Sequence, residues 1–117
     1  MDLLEELAEK NRELTASIKM LKKHGIEKAE AEAKYKTRLT QEILRLKAEK
    51  FPATLIANMI YGIPEVAEVR LKRDIAEVMY DTNQEHINVT KLQIKILEAQ
   101  IDREWHSGGR DGEKRIQ

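Results

Sequence analysis

After Pro64 the chain runs to His106 without a glycine or a second proline. Pro64 suits the first turn of a helix, where its missing amide hydrogen has no partner to lose. An unbroken helix of roughly 42 residues would be about 60 Å long. Propensity alone does not hold a helix of that length in water, so apolar surface must be buried along it.

The stretch carries two apolar rows at helical spacing. One reads Ile75, Val78, Thr82, Val89, Leu92, Ile96 and Ala99. The other is Tyr80, Ile87, Ile94 and Ile101, spaced by sevens, with Leu97 and Trp105 beside it. The rows lie on different sides of the helix, which is the pattern of a helix with neighbours on two flanks. The expectation is that the first row packs on the N-terminal helices, while Ile87, Ile94, Leu97, Ile101 and Trp105 form an interface with a second copy. The alternative is that the N-terminal helices cover both rows in one compact bundle.

Upstream, residues 2–24 read as a first helix, with Asp2 as its N-cap and Glu5 and Glu6 complementing the dipole. Leu7, Leu14 and Leu21 recur every seven residues, and Leu4 and Ile18 define a second row whose middle position is Asn11. A polar residue in a heptad seam fixes register at some loss of stability. Lys22, Lys23, His24, Gly25 and Ile26 then read as a helix stop with a left-handed glycine, leading to a tight antiparallel hairpin. A second helix is expected over 27–50, its apolar face formed by Ala29, Ala33, Leu39, Ile43 and Leu46, with Tyr35 and Leu44 at the edges.

Composition agrees with an all-α chain: 36% charged, 4% aromatic, five glycines and two prolines in 117 residues. The predicted architecture is an elongated three-helix bundle or coiled-coil hairpin with a short extra helix at an elbow. It forms a single helical domain over 1–106 and a flexible tail over 107–117. Lys plus Arg and Asp plus Glu number 21 each. That balance disfavours a generic basic nucleic-acid binder. There is no cysteine, so disulfides and thiolate chemistry are excluded. The N-terminus lacks the basic start of a signal peptide, and no apolar run reaches membrane-spanning length. A cytoplasmic protein is expected.

The elbow, "EKFPATLIANMIYGIPEVAEVR", holds both prolines. It admits two readings. Residues 52–73 have the outline of a helix-turn-helix, with Arg70, Lys72 and Arg73 as possible nucleic-acid contacts, but Glu65 and Glu68 stand where phosphate would be met. The favoured reading is a short helix that closes the end of the bundle with Leu55, Ile56, Met59 and Ile60. Tyr61 and Ile63 extend this cluster into a candidate partner-docking surface.

No catalytic, cofactor-binding or metal-ligating set is legible. His24 and His106 each lack a second ligand at metal spacing; His86, with Asp81 and Glu85 nearby, comes closest, but it points away from Glu85 on the helix and no second such motif completes a site. Nucleophile motifs and phosphate-binding glycine loops are absent. The polar run Tyr80 to Asn88 reads as a register-setting layer or a docking face. An enzyme is not expected, and neither is a cofactor.

The order "AEAEAKYK", "FPATLIANMIYG", "RDIAEVMYD" and "INVTKLQIKILEAQIDREW" resembles small helical proteins encoded in the early region of phages and prophages of Gram-positive bacteria, over residues of about 28–105. The resemblance implies a phage accessory protein in the host cytoplasm and brings no site residues with it. Together with the two-row helix, which by itself suggests self-association, it points to a non-enzymatic protein that acts by contact with a host or phage protein. Two roles fit: an accessory of replication or recombination, or an anti-defence inhibitor of the anti-CRISPR kind.

Overall fold

The computed structural model describes residues 2–107 in full and the backbone of 108–116. The chain is all-α: α1 Leu3–Ala48, a short α2 Ala53–Met59, one 3-10 turn Ile60–Gly62, and α3 Pro64–Ile116. No strand occurs among the described residues. The long C-terminal helix and the short elbow helix stand as expected. The tail expected over 107–117 lies, beyond Ser107, outside the fully described residues.

The break expected at Gly25 does not occur. α1 is one helix of 46 residues, and among the described residues no glycine has positive φ. Good helix formers stand on both sides of the His24–Ile26 stretch (Leu21, Lys22 and Lys23 before it, Glu27, Lys28 and Ala29 after it), so the loss of about 1 kcal/mol at Gly25 relative to alanine does not stop the helix. Gly25 lies against the Tyr80 ring, where a Cβ would make an ordinary contact at 3.5 Å from Tyr80 Cε2. The stop comes instead at Lys50, the one non-glycine residue with positive φ (68°) among those described. There the Phe51 amide donates to the Leu46 carbonyl at 3.1 Å and the Lys50 amide to that of Lys47 at 3.0 Å. This is the paired closure of a Schellman cap, with lysine where glycine is usual. At the other end the Glu5 amide donates to Asp2 Oδ1 at 2.8 Å, so Asp2 is the N-cap.

The fold divides into two compact units, Leu21–Thr82 and Met1–Met20 with Asn83–Gln117. In the Leu21–Thr82 unit, Tyr35, Leu46, Ile56, Ile60 and Val66 form a buried cluster, with Leu39, Ile43, Met59, Ile63 and Val69 packed against it. The elbow therefore closes this end, as the favoured reading required, through Ile56, Ile60 and Met59; Leu55 is left exposed. Glu42, also buried, is held by Arg38 at 3.2 Å and Arg45 at 2.8 Å. Its hydrogen bond is the main cause that raises the Arg45 pKa above the ordinary value. Within the unit α1 and α3 run antiparallel, since Gly25 meets Tyr80 while Tyr35 meets Arg73. The face expected for this part of α1 is corrected: Ala29 and Ala33 are exposed, and Tyr35 is buried.

In the other unit the covered seam positions include Leu3, Leu7, Lys10, Leu14 and Ser17 of α1, and Asn83, Ile87, Thr90, Ile94, Leu97 and Ile101 of α3. Both sets step by threes and fours, the spacing of a heptad seam. The Leu7–Leu14 row is as expected. The second row is not: Leu4, Asn11 and Ile18 are exposed, and Leu3, Lys10 and Ser17 take their place. Asn11 turns back on its own helix, its Nδ2 donating to the Leu7 carbonyl at 3.1 Å. The seam asparagine is Asn83, whose Nδ2 donates to the Ser17 carbonyl at 3.0 Å.

Candidate interaction surface

α3 presents two rows, and the structure assigns them the opposite way from the sequence expectation. Counting along α3 in alternating steps of three and four from Val66 gives Val69, Arg73, Ala76, Tyr80, Asn83, Ile87, Thr90, Ile94, Leu97 and Ile101. Every one of these is buried or half-buried. Ile87 and Ile94 retain only 6% and 8% exposure within the single chain. The interface expected for a second copy is thus largely taken by α1. For the first part of α3 the physical reason sits at the elbow. Val66, fully buried in the Tyr35–Leu46–Ile56–Ile60 cluster, fixes which face of α3 turns inward within the Leu21–Thr82 unit. Of the expected interface only Trp105 is openly exposed, at 79%. It lines a cleft of ≈ 680 Å³ with Asp2, Leu3, Leu4, Ile101 and Glu104.

The other row is bare. In the Leu21–Thr82 unit it comprises Leu71, Ile75 and Val78; in the other unit, Val89, Leu92 and Ile96. All six are 42–61% exposed. Thr82 and Ala99, on the same row, are exposed too. Relative to the inner heptad these residues occupy the two positions on the opposite side of the helix. A two-stranded coiled coil ordinarily keeps those positions charged and solvated. The compact alternative, in which N-terminal helices cover both rows, fails for a simple reason. α1 is a single helix, and one helix covers one row. Leu71 belongs to the bare row and was missed in the sequence, although its i,i+4 spacing to Ile75 could have included it.

The elbow candidates separate. Ile56 and Ile60 are core, Met59 and Ile63 are half-buried against it, and only Leu55 and Tyr61 face outward. A docking surface through Ile56 and Ile60 would require opening this core.

The possible nucleic-acid contacts are each already engaged. Arg73 stacks over the Tyr35 ring at 4.2 Å and donates through Nε and Nη2 to Asp74 Oδ1 at 3.1 and 2.8 Å. The hydrogen bond to Asp74 raises the Arg73 pKa above its ordinary value. Arg70 lies over the Tyr61 ring at 4.6 Å, and Lys72 Nζ is 3.1 Å from Glu68 Oε1. The first turn of α3 carries Glu65, a charge that repels phosphate at the helix end where a recognition helix would meet DNA.

His86 is exposed on α3, and among the described residues no three His, Asp or Glu side chains are placed to hold a metal ion. A groove of ≈ 480 Å³ between Glu6, Glu9, Lys10 and Glu13 of α1 and Ile96 and Leu97 of α3 is acidic on one wall and apolar on the other. No helix among the described residues is long and apolar enough to cross a membrane. No family model matches the chain, and no match is found among curated proteins or solved structures.

Proposed function

We propose that this is a non-enzymatic, self-associating protein that acts by protein–protein contact through the outer face of α3. The observation that carries the reading is the bare row Leu71, Ile75, Val78, Val89, Leu92 and Ile96. It leaves on the order of 300 Å² of large aliphatic surface in each unit, a patch size at which monomer surfaces are commonly functional. The row is periodic over its whole length, whereas scattered surface leucines would not be. The resemblance to early-region phage proteins supplies the class of partner, a replication or recombination factor or a host defence protein. It also supplies the location, the host cytoplasm. Those particulars rest on the residue order alone.

The test is mass in solution. Wild type should sediment as a dimer or larger species at micromolar to high micromolar concentration. Leu92→Asp should be monomeric with an unchanged helical spectrum, because Leu92 is 58% exposed and its replacement leaves the intramolecular seam intact. A wild-type chain that stays monomeric at millimolar concentration would overturn the proposal.

A further inference from the structure

We infer that the groove between α1 and α3 in the unit of Met1–Met20 with Asn83–Gln117 is a docking site for a basic amphipathic helix of another protein. The inference goes beyond self-association and does not depend on it, since the groove shares only Ile96 with the bare row. The groove, of ≈ 480 Å³, lies wholly within that unit. Its α3 wall is Ile96, 55% exposed, beside a half-buried Leu97. Its α1 wall is Glu6, Glu9, Lys10 and Glu13, all four half-buried. One wall therefore offers aliphatic surface and the other offers charge, which is the division of an amphipathic helix laid lengthwise between them.

The charge on the α1 wall selects the kind of helix. The chain as a whole is balanced, 21 cations against 21 carboxylates, yet this wall sets three carboxylates against one lysine. That lysine is already taken, with Lys10 Nζ 3.2 Å from Glu13 Oε2. Among the described residues neither Glu6 nor Glu9 has an ion-pair partner. Further along the same helix Glu27 is matched by Lys23, Glu32 by Lys36, and Glu42 by Arg38 and Arg45. Two half-buried carboxylates without a cation, facing an open aliphatic wall, are complemented by lysine or arginine carried on an apolar surface. Glu6, Glu9 and Glu13 step by three and four residues, about 10 Å along α1. The matching cations therefore recur at threes and fours along one flank of the occupant, beside the aliphatic stripe that meets Ile96 and Leu97. The stripe supplies contact area, and the cations decide which helix is accepted. An acidic helix with the same stripe sets like charges together and is rejected.

The probe is a synthetic peptide of about 18 residues, about 27 Å long as a helix, with leucines on one stripe and lysines along its flank. A counterpart carries glutamate at every lysine. Fluorescence anisotropy of each labelled peptide follows its binding to the full chain. The lysine peptide should bind wild type about tenfold tighter than the glutamate peptide, with an affinity that falls as salt is raised. Glu6→Gln together with Glu9→Gln should weaken it by about tenfold. Glu6→Lys together with Glu9→Lys should reverse the preference between the two peptides; should that reversed pair fail to fold, the neutral pair still decides. Ile96→Ser should weaken binding, whereas Leu92→Asp, outside the groove, should keep it. No binding of the lysine peptide at millimolar protein, equal binding of the two peptides, or an affinity untouched by the Glu6 and Glu9 changes would each overturn the inference. A monomeric wild type that binds the lysine peptide would overturn the proposed self-association alone. A self-associating wild type whose Leu92→Asp variant binds no peptide would overturn this inference alone.

Discussion

Replacing Gly25 by alanine separates a continuous α1 from a helical hairpin by the sign of its effect. In the structure Gly25 is an interior helical residue with negative φ. Alanine is about 0.8–1.0 kcal/mol better than glycine there. The added Cβ would stand 3.5 Å from Tyr80 Cε2 and 3.9 Å from Cδ2, an ordinary contact that displaces nothing. Covering that methyl against the ring adds at most about 0.8 kcal/mol, and less because Gly25 is only half-buried. The net expectation is a gain of about 1 kcal/mol. Were Gly25 a left-handed helix stop, alanine would instead lose about 1–2 kcal/mol. Urea unfolding followed by helical circular dichroism resolves the two. With a slope of about 1–3 kcal/mol/M the midpoint should rise by roughly 0.3–1 M. Protein concentration must be held equal, since association shifts apparent stability. A midpoint lowered by a similar amount would refute the continuous helix and the placement of Tyr80 against it.

Three further outcomes are expected. Lys50 holds the left-handed position of the α1 stop, so Lys50→Gly should stabilise by about 0.5 kcal/mol and Lys50→Val should destabilise by about 1 kcal/mol; thermal melts of the three chains check the order. Ile94→Asp, at a site 8% exposed, should lose at least about 3 kcal/mol through a buried unpaired charge, whereas Leu92→Asp should change the unfolding midpoint little at concentrations low enough to keep the wild type monomeric. Asn83→Leu removes a polar seam residue whose Oδ1 lacks a hydrogen-bond partner; stability should rise by about 1 kcal/mol while register loosens, visible as extra or broadened amide resonances in a nitrogen–proton spectrum.

Much of this fold was legible because it rests on local rules. The uninterrupted stretch after Pro64 meant one long helix, and the repeat Leu7, Leu14, Leu21 meant a seam. Asp2 ahead of Glu5 meant a cap. The two apolar rows of the last helix were both visible. The errors came where a local signal competes with a partner distant in sequence. Lys-Lys-His-Gly-Ile has every feature of a helix stop, yet Gly25 sits inside α1 against the Tyr80 ring, and the stop falls on a lysine that propensity would not choose. Leu4 and Ile18 are as apolar as Leu3, so nothing local says which of them faces α3.

The candidate surface shows the same division. Periodicity by itself determined that α3 is apolar on two opposing flanks, because a period of 3.6 residues projects the sequence directly onto the helix circumference. Which flank is core and which is bare was decided only in tertiary structure. In the Leu21–Thr82 unit the elbow packs Ile56 and Ile60 onto Val66 and so turns the Val69, Arg73, Ala76 and Tyr80 face of α3 inward; in the other unit the covered face is the one with Ile87 and Ile94. A single α1 can then cover only the row that includes Ile87 and Ile94, and the residues of the row from Leu71 to Ile96 are left exposed.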